Sequence, residues 1–132
     1  MNFYPELQDY LQLLTTGFDQ IPAARRAQLA QLADYISRKR EAGAPVRLHF
    51  ICTHNSRRSH LAQIWTATAA AYFGVVGVET FSGGTEATAF NPRAAAALER
   101  AGFRVDNPGG ENPHYQLTFT ENGPELVCYS KT

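Results

Sequence analysis

The chain has 132 residues, with 12 Lys+Arg against 12 Asp+Glu, so its formal charge is zero. That length suits one domain, and a neutral chain has no global field to steer it to nucleic acid or an anionic membrane. An apolar fraction of 44% excludes a disordered tail, and two cysteines cannot build a disulfide framework or a four-cysteine zinc site.

The N-terminus, MNFYPELQDY, lacks the basic start and apolar run of a secretory signal. Leu7, Tyr10, Leu11 and Leu14 recur at helical spacing and predict a helix over Tyr4–Leu14, ended by Thr15-Thr16-Gly17. Pro22 suits a first helical position, and Leu29, Leu32, Ala33 and Ile36 carry a second helix to about Arg40. Gly43-Ala44-Pro45 stops it. Val46–Ile51 then reads as a strand with Val46, Leu48 and Phe50 on one face. The polar turn CTHNSRRS follows, and after it Leu61, Ile64, Trp65, Thr68 and Tyr72 stripe another helix, with Trp65 and Tyr72 expected in the core. The stretch 61–78 is weakly polar, but Gln63, Thr66, Thr68, Gly74 and Gly77 exclude a membrane span.

Val75–Phe81 is expected to be the second strand, ending in Ser82-Gly83-Gly84-Thr85. Asn91 and Pro92 are an N-cap and first helical residue, and Gly102 is the stop of a helix over Ala94–Ala101. Phe103-Arg104-Val105 is a short strand. Tyr115–Thr120 and Leu126–Ser130 form a C-terminal β-hairpin around Glu121-Asn122-Gly123-Pro124. The order predicts a three-layer α/β/α fold with a short parallel sheet. Residues 1–44 form an N-terminal helical extension, and residues 45–132 the α/β domain.

Cys52 stands directly after a strand and before a helix, where open α/β sheets bind ligands. Arg58 follows with five residues between them. A loop of that length can turn its backbone N–H groups inward and cradle a tetrahedral oxyanion, helped by the helix N-terminus. Arg58 can grip two anion oxygens, and the same positive surroundings favour a Cys52 thiolate. Ser59 can donate to that thiolate. A lone Cys at a strand end is also compatible with a small buried residue.

FICTHNSRRSHLAQ resembles the phosphate loop of low-molecular-weight protein tyrosine phosphatases and the related thioredoxin-coupled arsenate reductases. Their pattern is Cys-x-Gly-Asn-x-x-Arg-Ser after a hydrophobic strand, matched by Cys52, Asn55, Arg58 and Ser59. ETFSGGTEATAFNPRAAAALERAGF resembles the Ser-Ala-Gly-Thr strand end and Asn-Pro-Arg-Ala helix of the same family, in family order. The resemblance implies Cys52 as nucleophile, Arg58 as oxyanion clamp and Ser59 as thiolate stabiliser. It implies amides of Thr53, His54, Asn55, Ser56, Arg57 and Arg58 as the cradle, with Asn55 holding the loop and partnered by Ser82.

Three positions depart from the family pattern. His54 occupies the family glycine, whose backbone angle few other residues adopt. Arg57 stands where arsenate reductases often carry another Cys. The family's acid, an Asp in an Asp-Pro pair, has no counterpart: the chain has four Asp (Asp9, Asp19, Asp34, Asp106) and none follows Asp106. Glu111, Glu121 and Glu125 lie in that half without marking themselves as the acid. The last part of the family fold is therefore expected to be missing, leaving a fragment, a sheet completed by strand exchange or a homo-oligomer, or a reduced binding version.

These residues lead to phosphatase-like chemistry on a phosphotyrosine or small phosphoester. The alternatives are arsenate reduction, with Cys128 as the candidate resolving thiol and thioredoxin as a partner, or a non-catalytic phosphate-binding module. No cofactor is expected. His49, His54, His60 and His114 show no zinc spacing, so no metal is expected. His49 is read as a strand-face residue and His60 as a helix-surface one. Nucleic acid and membrane are excluded as partners, and reduced thiols fit a cytoplasmic location.

Overall fold

A computed structural model describes residues 2–132. In chain order the elements are α1 (Pro5–Thr15), α2 (Ala23–Glu41), β1 (Val46–Cys52), α3 (Arg58–Tyr72), β2 (Val78–Gly84), α4 (Pro92–Ala101), β3 (Arg104–Asp106), β4 (Tyr115–Thr118) and β5 (Leu126–Cys128), with a short 3₁₀ turn at Phe18–Gln20. The fold is α/β: β1 and β2 form a short parallel sheet, and β3-β4-β5 form a separate antiparallel one. No helix among the described residues is long and apolar enough to cross a membrane.

β1 alternates as its sequence requires, with Val46 and Leu48 buried and Arg47 and His49 exposed. His49 is thus the strand-face residue expected. β2 begins three residues later than expected, because Gly77 at φ +83° turns the chain first. It also runs further, so that Ser82, Gly83 and Gly84 pair with Phe50, Ile51 and Cys52. This longer ladder brings the glycines directly beside the polar turn. The short strand after α4 departs from the parallel sheet. A short connection brings β4 back alongside β3, where antiparallel pairing closes only a small loop.

Asn91 caps α4 as its sequence predicts, its side-chain oxygen accepting from the Arg93 N–H at 2.8 Å. Gly102 ends the helix at φ +117°. The core joins α1, α3, α4 and the antiparallel sheet through Leu7, Leu11, Ile64, Phe90, Leu98, Phe103 and Leu117. Trp65 and Tyr72 are half-buried and pack against this cluster, Trp65 edge-on to Phe103 at 5.3 Å. α1 is thereby part of the core, and the chain before it is tied down by the Phe3–Thr120 bridge and by Tyr4 N–H donating to Phe119 O at 3.0 Å. α2, by contrast, buries no residue.

A Cβ at Gly102 would overlap the backbone of Leu7. Gly102→Ala therefore combines a left-handed φ with a clash against α1. It should destabilise the chain by about 2–4 kcal/mol, read as a lower urea midpoint. An unchanged midpoint would show that α1 is not seated on this turn.

Candidate functional site

The turn from β1 to α3 closes on itself through its own polar groups. Ser59 Oγ lies 3.0 Å from Cys52 Sγ, and Asn55 Nδ2 donates to Ser59 Oγ at 2.6 Å. Asn55 and Ser59 are buried, whereas Cys52 is half-exposed. The left-handed residue in the turn is Asn55, at φ +46°. The constraint expected at His54 falls one residue later, on a residue type that tolerates it well. His54 has no positive φ and needs no glycine.

β2 fits beneath this turn only because it ends in glycine. A Cβ at Gly84 would come within 2.7 Å of Asn55 N and Thr53 O. Thr85 and Glu86 N–H groups both donate to Thr53 O, at 2.8 and 2.9 Å, fixing the start of the turn.

Backbone N–H groups of Asn55, Ser56 and Ser59 are directed at Cys52 Sγ. Burial pushes the thiol upward, but the Ser59 hydroxyl and these three amides together outweigh it. The pKa falls from 9.0 to about 7. About half of Cys52 is then thiolate at pH 7, against about one in a hundred for the unshifted thiol. Alkylation of Cys52 by iodoacetamide should accordingly rise with pH through a midpoint near 7. A midpoint near 9 would mean that the hydroxyl and amides do not act on the sulfur.

Above the sulfur lies a polar cavity of about 230 Å³ lined by Cys52, His54, Ser56, Arg57, Arg58 and Thr88. Arg57 and Arg58 supply positive charge where α3 begins. His54 Nε2 is 3.2 Å from Glu86 Oε2 at the exposed rim. Thr88 contributes a hydroxyl, which donates to His54 O at 3.3 Å. Asp106 sits in β3 opposite Gln116 and does not line the cavity. Among the described residues, no group of three His, Cys, Asp or Glu side chains is placed to hold a metal.

Several sequence expectations shift. Ser82 does not partner Asn55 directly; its Oγ accepts from Lys131 Nζ at 3.0 Å and lies 3.2 Å from His60 Nδ1. His60 is fully buried rather than on the helix surface, with Nε2 3.0 Å from Tyr129 O. Burial, reinforced by the Lys131 charge, holds its pKa down at about 4, so it is neutral near pH 7. Cys128 lies in β5, fully buried, opposite Tyr115. Burial raises its thiol to about 12, the Lys131 charge only partly opposing this.

The C-terminal segment is the part of the site that sequence reading missed. Ser130 Oγ donates to His54 O at 2.7 Å and accepts from Thr88 N–H at 2.7 Å. Asn112 locks Ser130 from both sides, accepting from its N–H and donating to its C=O. Lys131 N–H donates to Asn55 Oδ1 at 3.0 Å, and Lys131 O accepts from Gly84 N–H at 2.9 Å. Nothing in YSKT marks these contacts, which arise from chain return rather than spacing.

Over 62 residues the chain is 37% identical to arsenate reductase 2 of Staphylococcus haemolyticus. It shows the same identity over the same length to arsenate reductase 2 and to arsenate reductase of two Staphylococcus epidermidis strains. The match covers 46% of this chain and 43% of each relative, so the chain spans less than half the length of the curated relatives it matches. No protein-family profile matches the chain, and no solved structure matches it.

Proposed function

We propose that the chain carries a thiolate site for tetrahedral oxyanions and that arsenate is the oxyanion it transforms. The observation that carries this reading is the Cys52 sulfur, lowered to about 7, at the base of a polar cavity flanked by Arg57 and Arg58. The similarity to arsenate reductases favours arsenate among the oxyanions that such a cavity admits.

Cys52 Sγ attacks arsenic and forms an S–As bond, and an arsenate oxygen leaves as water after protonation. A second thiol then attacks the Cys52 sulfur. The S–As electron pair stays with arsenic, which departs as arsenite, and the two thiols are left as a disulfide. Arsenic gains two electrons and the thiols lose two. Cys128 is poorly placed to be that second thiol, because it is buried and its thiol lies at about 12. A dithiol protein of the thioredoxin type or a small thiol is the better reductant.

One observation favours a second reading. Phosphoester hydrolysis through a Cys52-phosphoryl intermediate needs no second thiol, so the burial of Cys128 does not impede it. Such hydrolysis requires a proton for the leaving group. The His54–Glu86 pair at the cavity rim is the titratable group best placed to supply it.

The readings separate in one assay set: arsenite released from arsenate with thioredoxin or glutathione as reductant, and phenolate released from p-nitrophenyl phosphate. Thiol-dependent arsenite release that disappears in Cys52→Ser supports arsenate reduction. Phenolate release alone supports the phosphatase reading. Oxyanion binding with neither product leaves a binding module.

A further inference from the structure

Lys131 closes the turn from outside, and its hydrogen-bond count is exact. Its ammonium has three N–H donors. They meet three acceptors: Ser82 Oγ at 3.0 Å, Tyr129 O at 3.2 Å and Asn55 Oδ1 at 3.3 Å. The same Asn55 oxygen also accepts the Lys131 backbone N–H at 3.0 Å.

Two donors on Oδ1 fix which way the buried Asn55 amide faces. Its NH₂ must then point to Ser59 Oγ, 2.6 Å away, and occupy a lone pair there. A serine hydroxyl has one hydrogen. With its oxygen already accepting from Asn55, that hydrogen is free to point at Cys52 Sγ, 3.0 Å away. A reversed amide would put Oδ1 against Ser59 and draw the hydrogen away from sulfur. The ammonium orders the other side in the same way. It donates to Ser82 Oγ, so the Ser82 hydrogen goes to His60 Nδ1, and the His60 Nε2–H donates to Tyr129 O.

We propose that Lys131 is a positioning residue for the Cys52 thiolate, acting through the Asn55 amide and the Ser59 hydroxyl. The proposal rests on the reading of Cys52 as the nucleophile. It assigns a catalytic consequence to a residue 79 positions downstream of the cysteine. Lys131 does not line the cavity, so it acts on the state of the sulfur rather than on substrate. Burial lowers the pKa of Lys131, with Cys128 opposing this, and an ammonium kept charged there requires all three of its acceptors.

The test is the pH profile of Cys52 alkylation by iodoacetamide on the full chain, with Cys52 identified by peptide mass spectrometry. Lys131→Met keeps the backbone N–H on Asn55 Oδ1 and removes the charged donor. It should still move the midpoint upward and slow alkylation about twofold or more at pH 6. Lys131→Gln, which keeps a polar head without the charge, should shift it in the same direction and carries the test if the methionine variant fails to fold. In a Ser59→Ala background, either substitution should add little further shift, because the route to sulfur is already cut. An unmoved midpoint in the folded single variant overturns the proposal. So does a full additional shift in the Ser59→Ala background, since a general loosening of the turn would act there as well. Arsenate protection of wild-type Cys52, measured in parallel, reports on the proposed function separately. Its absence would count against that reading, whereas an unmoved midpoint with protection intact would count against Lys131 alone.

Discussion

Cys52→Ser is expected to lower oxyanion turnover by about 10³-fold or more. A serine hydroxyl at this position is not ionised near neutral pH, so the amides of Asn55, Ser56 and Ser59 have no thiolate to stabilise. The substitution is nearly isosteric and leaves the turn's framework in place, because that framework is held by Asn55, Ser59, Ser130 and Lys131. Oxyanion binding should therefore survive, measured by titration calorimetry with arsenate or phosphate, while product formation disappears. Turnover that persists in Cys52→Ser would remove the sulfur from the chemistry.

Arg58→Ala should weaken oxyanion handling by about 10²-fold in kcat/KM. Arg58 opens α3 and lines the cavity, and its side chain takes no part in the hydrogen bonds that hold the turn. Its loss should cost charge and a two-pronged grip without cost to the fold. Arg58→Lys restores the charge but not the planar fork, so it should recover only part of the loss. Arg57→Ala, one residue earlier and also exposed, should cost less if it supplies only field. Equal effects at the two positions would show that net charge, rather than a fork aimed at the anion, is what the cavity uses.

Much of the fold was legible because it is written in local patterns. The alternation in Val46–Phe50, the stripe through Ile64 and Trp65, and the Asn91-Pro92 start with its Gly102 stop are all short-range signals. The β2 boundary moved because hydrophobicity at Val75 and Val76 resembles strand, while the positive φ of Gly77 and the pairing of Ser82–Gly84 with β1 decide the ladder. The partner of β3 was not legible, since three residues carry too little pattern to choose a sheet.

At the site, Cys52, Arg58 and Ser59 could be singled out from their placement and spacing, and Asn55 from the resemblance to the phosphate loop. Their meeting with Lys131, Ser130 and Asn112 could not, because those contacts join residues up to 76 positions apart. His60 illustrates the same limit. On helical spacing it reads as a surface residue, and only the return of Tyr129 and the closeness of Ser82 bury it. Cys128 was named as the candidate resolving thiol because it is the one other cysteine, and its place opposite Tyr115 buries it.

The measurement that most directly tests the central claim is Cys52 alkylation across pH, with and without arsenate or phosphate. The geometry predicts a thiolate midpoint near 7 and strong protection by either oxyanion, because the anion would occupy the cavity directly above the sulfur. A midpoint near 9, or labelling at the same rate in the presence of saturating oxyanion, would contradict it.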